Sequence, residues 1–345
     1  MLEAKKQNIN NNKITVYTLK NEKGSRVEIS NLGACLTKFS IKNFENKDVD
    51  VVLGYGNMID YLENPCYMGV TVGRYANRIA NGNFTIDDVL YQLDINNGSN
   101  NLHSGANGIQ FKVWELIKLT ATSVKLALFC PHLEDGFPGN LHLTIEFELT
   151  INNELSIKYN AISDKKTIIN LTNHAYFNLN GHDTGLCTQN SVKINANYFT
   201  PIAKDGIPTG EILSVKQTPF NFTDFKTIQA DIETDNQQLQ FGNGYDHNFV
   251  VNNYDGNLNL VAEAIGDKSK IKLEVFSTLP GLQFYVGSYL NITELGKNKA
   301  SYKARSGFCF ETQYFPNSPN CDNFPSTHIE ANKQYNFTTI YKLSN

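Results

Sequence analysis

An all-β fold, a large antiparallel β-sandwich with few short helices, is the class this sequence predicts, and three observations predict it. Residues 141–151 read LHLTIEFELTI, with Leu141, Leu143, Ile145, Phe147, Leu149 and Ile151 alternating against polar partners without a break. That period of two is the signature of a strand with one buried and one solvated face. The same period recurs before it, in Val124, Leu126, Leu128 and Cys130, and after it, in Leu155, Ile157, Tyr159 and Ala161. The last two runs are separated by turn-forming asparagines, so the three make a β-meander. Helix-length windows are the third observation, by their scarcity: only 57–63 and 223–232 offer one.

Further strands are expected at 14–19, 26–30, 34–41, 49–53, 190–195, 258–264, 270–276, 282–289, 307–312 and 334–342. All are short and rich in Val, Ile, Thr, Phe and Tyr, residues that suit a pleated, half-buried surface. The two helical windows do not recur between strands as βαβ units require, which disfavours a parallel α/β fold. Gly, Asn and Pro punctuate the whole chain, but no Pro/Ser-rich linker or charge block divides it. One continuous domain over 1–345 is the expectation, because sandwiches of this size are often single units.

Composition narrows the function. The chain has 345 residues, 30 Lys+Arg against 34 Asp+Glu and a formal net charge of −4, with no basic cluster. This lacks the electrostatic footprint of a nucleic-acid binder. No run of about 18 uncharged apolar residues is present, so no ordinary membrane span is expected. The first residues, MLEAKKQNINNNKITVY, carry no apolar core or small-residue cleavage pattern after their lysines, and a cytoplasmic location follows as an expectation. Six cysteines, Cys35, Cys66, Cys130, Cys187, Cys309 and Cys321, form no C-x-x-C pair. They read as small hydrophobes within strands.

A site in a sandwich is assembled from distant segments, so polar residues set in Gly/Asn-rich or aromatic surroundings are the candidates. Five segments qualify: GRYANRIA at 73–80, NLHSG at 101–105, LTNHAYFNL at 171–179, GYDHNF at 244–249 and GFCFETQ at 307–313. Arg74 and Arg78 are either surface charges or donors to ligand oxygens. His103 lies in a loop and is open to both readings. His174 interrupts an apolar run, where an imidazole needs either a hydrogen-bond partner or a chemical role. Glu311 lies between Phe310 and Phe315, where desolvation would raise its pKa toward neutrality and suit it to general-base work. Asp246 and His247 either close an Asx-type turn or face a ligand. H-E-x-x-H, H-x-x-x-H and Cys-pair spacings are absent, as are nucleotide loops and G-x-S-x-G, which demotes metal, nucleotide and serine-hydrolase chemistry. Ligands scattered over strands remain open.

In this order and at these separations, the five segments resemble the galactose mutarotase (aldose 1-epimerase) family. DGFPG at 135–139, IPTGEI at 207–212, TPF at 218–220 and PGLQFYVG at 280–287 extend the resemblance over nearly the whole chain. The resemblance implies a large mutarotase-like sandwich whose concave face holds one hexose, interconverting the α and β anomers of D-galactose or D-glucose through the open-chain aldehyde. It implies no cofactor and no metal. Position by position, Glu311 corresponds to the base that takes the proton of the C1 hydroxyl, and His174 to the acid that protonates the ring oxygen. Asn77, Arg78, His103, Tyr176, Asp246 and Gln283 match positions that hold sugar hydroxyls. Bottom-up reading agrees, with an imidazole titrating near neutrality as acid. Tyr75, Phe177, Phe284 and Phe310 are open to two readings, an apolar floor for the sugar or, more often for such rings, residues of the core. The chain departs from the family pattern at Gly108, Ile109, Gln110 and Phe111, which replace a Gly-Phe-Asp-Lys run while Trp114 is kept.

The expected partner is a small hexose, with no nucleic acid and no membrane, for a monomer or homodimer. Three other readings compete: a mutarotase for phosphorylated hexoses using a second cation such as Arg74, a non-catalytic sugar-binding module, and a glycosidase built on Glu311 and Asp246.

Overall fold

The computed structural model describes residues 3–10 and 12–345, and its largest sheet grows from the meander. Leu141–Leu149 pairs antiparallel with Ser123–Cys130 on one side and with Glu154–Ser163 on the other. Its burial alternates residue by residue, as the hydrophobic period requires. The connecting turn places Asn153 at φ 60°, a conformation asparagine tolerates better than most residues. The sheet reaches nine strands in the order Glu115–Leu119, Ser123–Cys130, Leu141–Leu149, Glu154–Ser163, Gln334–Ser344, Lys272–Ser277, Asn259–Ile265, Ser191–Ile194 and Lys226–Thr227. The C-terminal strand thus sits in its middle, between strands from two distant parts of the chain.

A six-stranded sheet faces it, in the order Tyr176–Phe177, Phe308–Gln313, Gly281–Tyr285, Asp246–Val250, Tyr198–Thr200 and Leu213–Ser214. Phe177, Phe249, Phe284, Phe308 and Phe310 enter the core shared with Phe147, Ile157, Val275 and Tyr341 of the larger sheet. Tyr341 also donates its hydroxyl to the Phe310 carbonyl at 3.1 Å, a direct tie between the sheets. A third sheet of five N-terminal strands, from Glu3–Ile9 to Asp48–Asp50, adds Leu19, Val27, Ile29 and Phe39 to the same core.

Phe308–Gln313 and Gly281–Tyr285 are buried at every position. One face meets the core, and the other is covered by loops. This is why neither strand shows the clean alternation of the meander, and it is also what creates an enclosed site.

Most expected strands are present, with boundaries moved by a few residues. The strand expected over 282–289 ends at Tyr285. The windows 57–63 and 223–232 give only single 3₁₀ turns, Met58–Tyr61 and Ile228–Ala230. The first has no side-chain cap, and it stops before Asn64-Pro65, where the proline disfavours a helical predecessor. The single α-helix among the described residues, Gln237–Gly242, was not expected; Asn236 caps it by accepting from the backbone of Gln238 and Leu239. Glu3–Ile9 escaped notice because it is exposed and polar almost throughout. It is held by backbone pairing with Asn12–Lys20.

The meander yields a prediction. Phe147 is fully buried and Phe129, in the adjacent strand, is 49% exposed. Phe147→Ala should cost about 3–5 kcal/mol of unfolding free energy, whereas Phe129→Ala should stay within about 0.5 kcal/mol. Paired urea melts measure both, and equal losses would contradict this assignment of faces.

Candidate active site

Register builds the floor of the site. Gln283 stands opposite Glu311 on one side and Asn248 on the other, while Tyr285 stands opposite Cys309 and Asp246. Side chains two apart on a strand share a face, so Asp246, Gln283, Tyr285, Cys309 and Glu311 form one polar patch while Phe284 and Phe310 point into the core. His174 lies between the short strands Thr172–Asn173 and Tyr176–Phe177, and its backbone is fixed by hydrogen bonds with Val70 and Gly69.

Loops supply the opposite wall. Asn77 and His103 both have positive φ, 65° and 53°. The loops are cross-tied: the His103 N–H donates to the Asn77 carbonyl at 3.1 Å, and the Asn77 N–H donates to His103 Nδ1, also at 3.1 Å. With Nδ1 occupied as an acceptor, a neutral His103 carries its proton on Nε2. Gln110, in the departing segment, buttresses the loop by donating to the His103 carbonyl at 2.7 Å. Gly206, at φ +80°, passes so close to Arg78 that a Cβ there would sit 2.8 Å from the guanidinium carbon.

Between floor and wall lies a cavity of about 390 Å³. Of the expected residues, Asn77, Arg78, His103, His174, Tyr176, Asp246 and Glu311 line it. Gln283 lies just behind, donating to Asp246 Oδ1 at 2.6 Å. Of the two readings of the aromatics, the core one holds. Tyr75, Phe177, Phe284 and Phe310 are all core residues, the three phenylalanines because their strand parity turns them away, and the rings that line the cavity are Tyr67, Tyr176, Tyr285 and Tyr289. Tyr67 packs edge-on against His103, 4.7 Å between centroids. The reading of Arg74 needs correction. It is buried and spans to the carbonyls of Pro138 and Gly139 at 2.7 and 3.2 Å, so it braces the DGFPG loop.

The electrostatics centre on two buried groups. His174 Nε2 lies 3.6 Å from Glu311 Oε1, and the two residues are 4% and 2% exposed. Burial pushes the Glu311 carboxyl well above its ordinary pKa, helped by nearby Asp246 and opposed by Arg78. Phe310 is not the cause, since it faces away. Burial also lowers His174 to about 4, so the imidazole is not poised near neutrality as the sequence suggested. On its other side, His174 Nδ1 lies 3.5 Å from the Cys309 sulfur. Burial keeps that thiol protonated, and its sulfur is placed to accept from Nδ1–H, which leaves Nε2 bare and facing Glu311. Arg78 Nη1 is 3.8 Å from Asp246 Oδ2, and its Nε donates to Asn97 Oδ1 at 3.1 Å.

The site thus presents a carboxyl and an imidazole within reach of one small ligand, ringed by hydrogen-bonding groups. Sequence reasoning missed Tyr67, Asn97, Tyr285, Tyr289 and Cys309. Asn97 sits in the Asn/Gly-rich loop leading to His103, and Cys309 is two residues before Glu311; both positions were signals.

Comparison with known proteins identifies the family. The aldose 1-epimerase family model matches residues 15–342. A galactose mutarotase from Sus scrofa is 37% identical over 320 residues, covering 92% of this chain and 91% of the relative. An aldose 1-epimerase from Escherichia coli K12 is 32% identical over 330 residues, covering 95% and 94%. Among solved structures, a galactose 1-epimerase from Lactobacillus acidophilus superposes with a TM-score of 0.86 at 28% identity, covering 100% of this chain and 99% of the other. A GalM/aldose epimerase homologue from C. elegans gives 0.88 at 28% identity, covering 96% and 98%. On this match across nearly its full length, the chain belongs to the aldose 1-epimerase family.

Proposed function

We propose that this protein is an aldose 1-epimerase, interconverting the α and β anomers of D-galactose and D-glucose by general acid-base catalysis. The observation that carries this reading is the buried His174–Glu311 pair, 3.6 Å apart, at the wall of a cavity of about 390 Å³. That volume lies near the low end of the roughly 300–1,000 Å³ range of small-molecule pockets, which fits one sugar ring.

In this reading the pair holds one proton between its two members. Transfer of that proton from the Glu311 carboxyl to His174 arms the site. The carboxylate then takes the proton of the C1 hydroxyl, the C1–O5 bonding electrons pass to O5, and the imidazolium protonates O5 to release the aldehyde. Rotation about C1–C2, attack of O5 on the other face of the carbonyl and return of both protons give the opposite anomer. Asn77, Arg78, His103, Tyr176 and Asp246 hold the remaining hydroxyls, and Gln283, matched to the same role in the sequence, acts through Asp246. His103 offers an N–H, Asp246 accepts, and Gln283 keeps the Asp246 carboxylate in place.

An uncharged sugar fits better than a phosphorylated one. Arg78 is already matched by Asp246, and Arg74, the second cation that reading required, is committed to the DGFPG loop. We also read 1–345 as one domain in the cytoplasm; the continuous core from Tyr17 to Leu343 supports the first point. No helix among the described residues is long and apolar enough to cross a membrane.

Polarimetry on freshly dissolved α-D-galactose tests the function. Glu311→Gln keeps the shape but not the proton acceptor, and should lower kcat by about 10²–10⁴-fold with an unchanged circular dichroism spectrum. His174→Asn should fall within the same range. Near-normal turnover in Glu311→Gln would reassign the base. The pH profile gives a second prediction. An ordinary histidine gains its charge near 6.5, but burial delays this in His174 to about 4. As pH falls, kcat/KM should therefore hold through 6.5 and drop only toward about 4, where the pair acquires a second proton. As pH rises, activity is lost through the raised Glu311 pKa, where the pair's only proton leaves. An acid limb centred at 6.5 would mean a solvated imidazole and contradict the buried pair.

A further inference from the structure

Cys309 packs in an apolar cluster within its strand, as the sequence reading has it, and it also belongs to the same polar patch as Glu311. One donor atom each from His174, Cys309 and Glu311 lies within 4.8 Å of the other two, and all three residues are buried. Glu311 Oε2, also buried, has no hydrogen-bond partner in the protein. An unpaired buried carboxylate oxygen is costly, and here it stands beside an imidazole and a sulfur.

We propose that His174, Cys309 and Glu311 form a binding site for a divalent thiophilic cation, zinc above all, which occupies the catalytic pair and so blocks the reaction. The donor set of one thiolate, one imidazole and one carboxylate is one that zinc accepts, and three protein ligands leave a fourth position open. Zinc would displace two protons to solvent, that of the thiol, because a coordinating thiol is deprotonated outright, and the one held by the His174–Glu311 pair. The charge of +2 is then cancelled by thiolate and carboxylate, leaving a neutral assembly that tolerates burial. Tetrahedral zinc ligands stand about 3.5 Å apart. His174 already meets Cys309 at 3.5 Å and Glu311 at 3.6 Å through its two ring nitrogens, so seating an ion on one nitrogen requires side-chain rotation that draws the farthest donor in from at most 4.8 Å. The cavity lined by His174 and Glu311 is the entry path, and the open position faces a sugar hydroxyl or water. Zinc occupancy itself does not depend on the proposed function; the inhibition does.

The test titrates zinc into the whole protein against a chromophoric chelator, with epimerase activity followed in parallel. Wild type should bind one zinc per chain, lose activity in step with occupancy, recover it with EDTA, and bind zinc more weakly when galactose is present. Cys309→Ala should weaken zinc binding by at least about 100-fold, since even an outer-shell partner is worth up to that much. Its inhibition curve, read against its own zinc-free rate, should shift equally. Cys309→Ser, nearly isosteric, guards against misfolding: loaded with Co²⁺, wild type should show a thiolate-to-cobalt charge-transfer band and the folded serine variant should not. No zinc uptake by wild type, undiminished uptake by Cys309→Ala, or a missing charge-transfer band would overturn the site. Uptake through Cys309 with full activity would overturn the inhibition. Absence of epimerase activity before any zinc is added would instead overturn the proposed function and leave the metal site supported by the binding arm.

Discussion

Everything at the candidate site depends on the pairing register of Gly281–Tyr285 and Phe308–Gln313. Gln283 opposes Glu311 and Phe284 opposes Phe310, and that parity decides which side chains meet the cavity and which meet the core. A slip of one residue would send Glu311 into the phenylalanine layer and bring Phe310 into the site. The register is secured from the core side, by the packing of Phe284, Phe308 and Phe310 against the larger sheet and by the Tyr341 hydroxyl on the Phe310 carbonyl. The hydrophobic layer and the chemical layer are the two faces of the same strands.

Burial then sets the chemistry of the pair. Desolvation penalises whichever form of a group is charged, so it lifts Glu311 and lowers His174. Both shifts favour the neutral pair, with the shared proton resting on the Glu311 carboxyl. The surrounding groups tune the balance: Asp246 raises Glu311 and Arg78 lowers it. Hydrogen bonds from fixed neighbours complete the arrangement. The Asn77 and Asp246 backbone N–H groups donate to Nδ1 of His103 and His247, and the Cys309 thiol stands at Nδ1 of His174. In each ring the inner nitrogen is thereby committed.

How much of this was legible in the sequence follows from the same physics. The meander was readable because one face of its sheet meets solvent and the hydrophobic period is expressed directly. Asp246–Val250 is absent from the expected strands, and the end of Gly281–Tyr285 lies short of its expected place, because strands covered on both faces lose the alternation that marks them. The main site residues were found because polar side chains in aromatic or glycine-rich runs are conspicuous, and because the motifs resemble a known family. What could not be read was orientation. Arg74 and Arg78 are four residues apart in one segment, yet one braces a loop and the other faces the cavity. Orientation also decides between the two readings of the aromatics, since strand parity turns Phe177, Phe284 and Phe310 inward, while Tyr67 and Tyr289 arrive from irregular segments that carry no periodic signal. Cys309 was seen, but its meaning lay in a neighbour 135 positions away.

Gly206 has a consequence for how such a site can diverge. Its backbone runs against the Arg78 guanidinium with no room for a Cβ, and Lys204 and Asp205 beside it line a smaller recess that shares Arg78, Asn97, Asp246 and Tyr289 with the main cavity. The length and composition of this one surface turn therefore govern where the only cation lining the sugar cavity among the described residues can rest. Loops accept insertions far more readily than the strands that carry Glu311. The fold thus separates a floor held by the core, which carries Glu311, from a rim at residues 203–207 that can change without disturbing it.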